Sequence, residues 1–254
     1  MSSAHTRVDG RAYNELRSVR VTYDQYGYAP SSVLLELGNT KVLCAVSLQQ
    51  GVPPFLRGKR CGWLSAEYSM LPFSTQVRSS RDDGCGRKKD GRCVEISRLI
   101  GRSLRTVVNL TSLGEYTIAV DCEVLQADGG TRTACITAAY LALERAVMRW
   151  MAEGIISSTI LLDSIAAVSV GFSKGVAILD PNFAEDSALD ADFNFILTRS
   201  GSIIELQGTA ERTPITAEQF ERIRLLAHDG VQKLFTLCHT QGYTEQVYAT
   251  HTLS

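Results

Sequence analysis

The chain has 254 residues, 44% hydrophobic and 21% charged, enough for one large or two small domains around a real core. Its formal net charge of −1 argues against a protein that coats nucleic acid nonspecifically, so any polyanion must be met by a local patch. No run reaches the roughly 18 apolar residues of a membrane span, and the N-terminus, MSSAHTRVDGR, lacks the apolar stretch of a secretory signal. Seven cysteines without a CxxC pair read as free thiols of a reducing cytoplasm, with no zinc site.

After a polar, turn-rich opening from Arg7 to Arg17, alternation predicts strands over Val19–Tyr28 and Ser32–Leu37. Gly38-Asn39 is a two-residue hairpin signal, with Thr40–Leu48 as the returning strand. Adjacent prolines forbid regular structure in Val52–Lys59, and Trp63–Met70 reads as a further strand. From Phe73 to Asp90 the chain is polar, with Gly84, Gly86 and Arg87-Lys88-Lys89, which predicts a long mobile loop of the functional kind. Helical spacing from Val94 to Val108 puts Ile96, Leu99, Ile100, Leu104, Val107 and Val108 on one face and Arg98, Arg102 and Arg105 on the other. Nine basic residues against four acidic ones between Arg78 and Arg105 make the one basic patch, either a solvated face or a path for phosphates.

An apolar run, Tyr116–Leu125, has the length and β-branched content of a buried strand. It breaks at Asp128-Gly129-Gly130 and restarts as a buried helix from Thr133 to about Trp150. Glycines at a strand-to-helix turn let backbone approach a ligand, and the first N–H groups of a helix have no internal partner, so an anion fits there. Thr131 adds a hydroxyl and Arg132 a fork suited to two phosphate oxygens, unless that arginine merely pairs with a nearby carboxylate.

Beyond a Gly/Ser-containing crossover, Ala152–Ser158, strands are predicted at Ile165–Phe172 and Val176–Leu179. The stretch LDPNFAEDSALDADFNFIL then sets Asp180, Glu185, Asp186, Asp190 and Asp192 within thirteen residues. These carboxylates repel one another unless something positive sits among them, which leaves a solvated acidic loop or a divalent-cation site. A hairpin of Phe193–Leu197 and Ser202–Leu206 follows. The last helix opens with the capping box TAEQ at Thr216 and buries Phe220, Ile223, Leu226, Leu234 and Phe235, before a polar, frayed tail after about His239. Two halves, about 1–151 and 159–240 ahead of a tail to 254, repeat one plan, so the chain reads as a single α/β unit with an internal pseudo-repeat. Its histidines, His5, His228, His239 and His251, support no catalytic triad, and there is no GxxxxGK[ST].

The segments RVDGR, GNTKVLC, VPPFLRG, GW-x-x-AEYSMLP, EISRLIGRSLR, LQADGGTRTA, EDSALDADFN and ELQGTAE, in that order, resemble the ribonuclease PH family. The resemblance runs from about Arg7 to the last helix and is nearer to the bacterial-type enzymes than to the related exosome ring subunits. It implies a ribonuclease PH-like α/β fold of the α+β type, two pseudo-repeated β-α units with mixed sheets, similar to the second domain of a small-subunit ribosomal protein. It also implies a tRNA nucleotidyltransferase, a phosphorolytic 3′→5′ exoribonuclease whose co-substrate, inorganic phosphate, attacks the terminal phosphodiester of tRNA precursors and other RNA 3′ ends to release nucleoside 5′-diphosphates. Carried over residue by residue, phosphate falls to Arg92, Gly130, Thr131 and Arg132, while catalysis and a divalent metal, Mg²⁺ or Mn²⁺, fall to Asp186 and Asp192. Arg78 and Arg81 match two of three loop arginines that touch tRNA in the family; Phe73 stands where the first would be and offers stacking in place of charge. Asp90, in KKDGR, replaces a residue that is usually small. The family closes dimers into a hexameric ring, so a cytoplasmic homo-oligomer, a trimer of dimers without membrane contact, is implied. Two other classes stand beside this reading. A catalytically silent exosome-like ring subunit would have lost the phosphate arginine or the aspartates, and a small-molecule phosphotransferase would use the GGTR turn alone.

Overall fold

A computed structural model describes Arg7, residues 9–79 and residues 90–249, with side chains through residue 240. Alternating strands in the first half, β1 (Val19–Tyr23), β2 (Ser31–Leu37), β3 (Thr40–Gln50), β4 (Trp63–Met70) and β5 (Tyr116–Gln126), join in the order β1-β2-β3-β5-β4. All neighbours are antiparallel except β4 and β5. A parallel pair needs a crossover, and α1 (Gly91–Arg105) and α2 (Leu110–Leu113) lie within it. The apolar stripe of α1, with Ile96, Leu99, Ile100 and Leu104 all buried, packs on β4. The second half gives β6 (Ile165–Ser173), β7 (Val176–Leu179), β8 (Ala191–Thr198) and β9 (Ile203–Ala210), antiparallel in the order β7-β6-β8-β9.

One helix, α3 (Thr131–Ala152), joins the two sheets. It is largely apolar and contacts β2, β3 and β5 of the first sheet and β6 of the second. Ala134, Cys135, Ile136, Ala138, Ala139 and Leu143 are fully buried along it, and each large side chain so removed from water contributes about 1.5–3 kcal/mol. The Thr137 hydroxyl accepts from the N–H of Ala167, which fixes the helix against β6. A second long helix, α5 (Ala217–Ala249), covers β6, β7 and β1.

Several boundaries differ from the sequence expectation, for local reasons. Strand β1 stops at Tyr23 because Asp24 turns the chain at φ 57°, and the Asp24 carboxylate accepts from Arg149 and Arg145 near the end of α3. Helix α1 starts at Gly91, not Val94, because the Asp90 side chain caps it by accepting from the Arg92 N–H. Arg92 therefore belongs to a helical first turn and not to a loop. Helix α3 starts at Thr131 with Gly130 as its left-handed N-cap, φ 65°. At Thr216 the expected box is present: its hydroxyl accepts from the Gln219 N–H, and the Gln219 side chain accepts from the Thr216 N–H. The same helix continues past His239 to Ala249. Of the loop expected over Phe73–Asp90, residues 80–89, Arg81 among them, lie outside the described residues.

Candidate active site

The turn Asp128-Gly129-Gly130 leads from β5 into α3. A Cβ at Gly129 would sit 2.7 Å from the Pro181 carbonyl oxygen, and its φ of 81° suits glycine alone, so this backbone can lie against the second half only without a side chain. Arg17 braces the turn from behind, donating to the carbonyls of Asp128 (2.5 Å) and Gly129 (3.3 Å), and the Thr40 hydroxyl donates to Gly129 at 2.7 Å. With those carbonyls held on the far side, the opening N–H groups of α3 are left for a ligand. Thr131, buried, shares a 3.0 Å hydrogen bond with the Tyr68 hydroxyl. Arg132 donates to Gln207 Oε1 at 2.6 Å and reaches Glu95 at 3.4 Å. The competing carboxylate expected for this arginine is thus present, but its shorter contact is to a neutral amide. Arg92, exposed, lines the same cleft from α1.

The five clustered carboxylates sort into three groups. Asp180 is buried, which pushes its carboxyl up, yet the hydrogen bonds and charge of Arg17 outweigh this and hold it below its ordinary value. Arg17 contacts it at 2.7 Å and 3.0 Å. Glu185 is likewise raised by burial and lowered by more through Arg7 (2.6 Å and 2.7 Å) and the Asn182 N–H, ending low. Arg11 adds longer contacts to both, 3.6 Å and 3.5 Å. Asp190 ties off the β6–β7 turn by accepting from the Lys174 N–H at 2.9 Å. It precedes β8, so strand alternation does not bring it to the face of Asp192.

Asp186 and Asp192 remain. Both line the cleft, and among the described residues neither forms an ion pair. Asp186, in the short helix α4 (Phe183–Asp186), is pushed above its ordinary value by burial and then by the charge of Asp192, against the pull of Arg92. Asp192 is pushed up by burial and then by Glu211, against Arg132. Two cleft carboxylates, Asp186 exposed at the rim and Asp192 partly buried, that no ion pair neutralises among the described residues are of the kind that suits a hard cation with oxygen ligands.

The open cleft, about 1120 Å³, therefore gathers six of the expected residues: Arg92, Gly130, Thr131, Arg132, Asp186 and Asp192. Arg78 is not brought to its wall. It lies exposed just beyond Thr75, Gln76 and Val77, which do line it, in a segment closed by the Ser79 N–H donating to the Pro72 carbonyl at 3.0 Å. Phe73 is also outside the wall and 72% exposed. Sequence reasoning missed Arg7, Arg11 and Arg17 as the partners of the acidic stretch, and Gln207 and Glu211 as cleft residues. RVDGR was visible as a motif, but nothing local tells which carboxylates it meets. The cysteines also yielded a grouping their spacing hides: Cys44, Cys122 and Cys135 meet in the core, with sulfur atoms all within 4.8 Å. It is fully buried and apart from the cleft wall.

Residues 15–148 match domain 1, and residues 163–230 domain 2, of the 3′ exoribonuclease family. The chain is 49% identical over 232 residues to "Ribonuclease PH" of Neisseria meningitidis serogroup C, covering 91% of this chain and 95% of that one. It is 48% identical over 224 residues to "Ribonuclease PH" of Neisseria gonorrhoeae, covering 88% and 92%. Among solved structures it resembles the Archaeoglobus fulgidus exosome with RNA bound to the active site, with a TM-score of 0.76 at 20% identity over 91% of this chain and 92% of that one. Among the described residues no helix is long and apolar enough to cross a membrane.

Proposed function

The chain belongs to the 3′ exoribonuclease family, and from that membership we infer that it is a phosphate-dependent 3′→5′ exoribonuclease of the tRNA nucleotidyltransferase class. One observation carries the reading into the cleft: an anion turn with two arginines and a pair of uncompensated carboxylates share it. Phosphorolysis needs both, because an anionic nucleophile must be brought to an anionic phosphodiester, and like charges approach only where cations intervene.

In this assignment Thr131, Arg132, Arg92 and the N–H groups after Gly130 hold inorganic phosphate. One of its oxygens bonds to the phosphorus of the last nucleotide as the bond from that phosphorus to the 3′-oxygen of the preceding nucleotide breaks. The products are a nucleoside 5′-diphosphate and an RNA shorter by one residue, whose 3′-oxygen ends with a proton. Asp186 and Asp192, with carboxyls pushed above their ordinary value, are suited to relay that proton. They also fit Mg²⁺ or Mn²⁺, which when bound would neutralise charge on the reacting oxygens. Labelled RNA incubated with and without inorganic phosphate tests the reading. Phosphate-dependent diphosphate release supports it, monophosphate release would point to a hydrolase, and no release would favour the silent ring subunit. Retention of both arginines and both aspartates speaks against that last alternative.

Arg132→Ala is expected to lower phosphorolysis at limiting phosphate a hundredfold or more, since losing a charge-assisted bidentate contact costs on the order of 2–4 kcal/mol. Its side chain faces the cleft and not the core, so the melting temperature should hold; a variant with wild-type rates would misplace the phosphate.

The substrate we propose is the 3′ end of tRNA precursors, acted on in the cytoplasm by a hexameric ring built as a trimer of dimers. The support is electrostatic. A monomer of net charge −1 has little long-range pull on RNA, whereas several copies of the Arg78 to Arg105 patch facing one RNA would add their contacts. Arg78→Ala combined with Arg81→Ala should weaken trimming of precursor tRNA more than of short single strands, with the gap to wild type narrowing as salt screens the contacts the variant already lacks. Equal impairment on both substrates, or an active monomer by light scattering, would argue against it.

A further inference from the structure

We propose that Gln207 is a positioning residue for the phosphate site, its side-chain carbonyl aiming Arg132 into the cleft while leaving the guanidinium its full positive charge. The inference rests on the functional reading above and concerns a residue outside the carried-over set. Arg132 has two neighbours. Glu95, 51% exposed, stands at 3.4 Å, and Gln207 accepts at 2.6 Å. A carboxylate at the shorter distance would form a tight ion pair and compete with phosphate for the arginine. A neutral amide oxygen orients the fork without neutralising it.

The neighbours of Gln207 fix which end of the amide faces Arg132. Its nitrogen donates to Glu205 Oε1 at 3.1 Å, and Glu205 is itself gripped by Arg102 at 2.7 Å and 2.9 Å. Turning the amide over would put N–H against a guanidinium and a carbonyl against a carboxylate, losing both hydrogen bonds. Arg102 and Glu205 therefore set the acceptor toward Arg132.

Gln207 also has a place in the sheet that suits the task. It sits on β9 directly opposite Asn194 of β8, and Asp192 lies two residues along β8 on the same face. One hydrogen bond thus ties the phosphate arginine of α3 to the pair of strands that carries a catalytic carboxylate. It sets the separation between the bound nucleophile and the acidic side of the cleft. Such a tether acts on phosphate capture, because an arginine already oriented loses less rotamer freedom when the anion arrives.

The test is steady-state kinetics on a short single-stranded RNA, with phosphate and RNA varied separately. Gln207→Leu is expected to raise KM for phosphate roughly tenfold, with kcat and KM for RNA changed less than about threefold, the signature of a lost binding contact. Gln207→Glu keeps the reach and adds charge, and should raise KM for phosphate as well. In Gln207→Leu the arginine falls to Glu95, so adding Glu95→Gln should recover much of the phosphate affinity, a rescue that a merely structural role would not give. Unchanged phosphate KM in Gln207→Leu, or a parallel loss in all three constants with a lowered melting temperature and no rescue, would overturn the proposal. Wild-type protein that trims RNA without phosphate would instead overturn the functional reading beneath it.

Discussion

Asp186→Asn and Asp192→Asn are each expected to lower kcat by roughly 10²–10⁴-fold, the range for losing a positioned acid or base, while Asp190→Asn stays near wild type. The contrast follows from partners. Asp190 spends its carboxylate on the Lys174 N–H at 2.9 Å, a bond that an asparagine oxygen can also accept. Asp186 and Asp192 face the cleft, and their carboxyls are pushed up by burial and by acidic neighbours, Asp192 and Glu211 respectively. Removing one negative charge should also weaken activation by Mg²⁺ or Mn²⁺, seen as a higher metal concentration at half-maximal rate. Equal losses at all three positions would mean a diffuse acidic site in place of a specific pair.

Asp180→Asn should cost about 3–5 kcal/mol of unfolding free energy, because it leaves the guanidinium of Arg17 buried without its counter-charge. Both side chains are nearly closed off, 5% and 7% exposed. Urea denaturation at neutral pH measures the loss. The pH dependence has a defined sign. Asp180 is held below its ordinary carboxyl value when folded, so its contribution is fully present above the unfolded pKa of about 4 and is lost as pH falls through its lower folded value. The wild type should therefore lose stability in acid more steeply than Asp180→Asn. A variant with wild-type stability would mean that water reaches Arg17. Because Arg17 also braces the carbonyls of Asp128 and Gly129, its loss of anchorage should raise KM for phosphate too.

The glycine-and-arginine side of the cleft, proposed above to hold phosphate, could be placed from sequence because its signal is local: two glycines with positive φ, then Thr131 and Arg132 at a helix start. The acidic half was legible only as a crowd. Which of five carboxylates stay uncompensated depends on Arg7, Arg11 and Arg17, more than 160 positions away, and no periodicity encodes that. Gln207 was invisible for a related reason, since a polar residue on a partly exposed strand looks like any solvent-facing position until the partner across the cleft is known. Strands β2 to β7 and helix α3 were read to within two residues at each end, but the first strand was drawn five residues too long, the last helix was ended about ten residues short, and α2 and α4, of four residues each, were missed. Helices that short are held by caps and packing, and leave no apolar period.

The Arg7–Glu185 and Arg17–Asp180 pairs, separated by 178 and 163 positions, also set an order of events at the ribosome. Synthesis proceeds from the N-terminus, so the arginines emerge long before their acidic partners exist. A nascent chain ending before Asp180 contains all five strands of the first sheet, β1 through β5, but it leaves Arg17 without its counter-charge and lacks both aspartates of the cleft. On the functional reading proposed above, competence to cleave RNA is expected to arrive late in translation. Incomplete chains from truncated messages should fail to shorten RNA and, lacking that long-range clasp, be early targets for proteolysis.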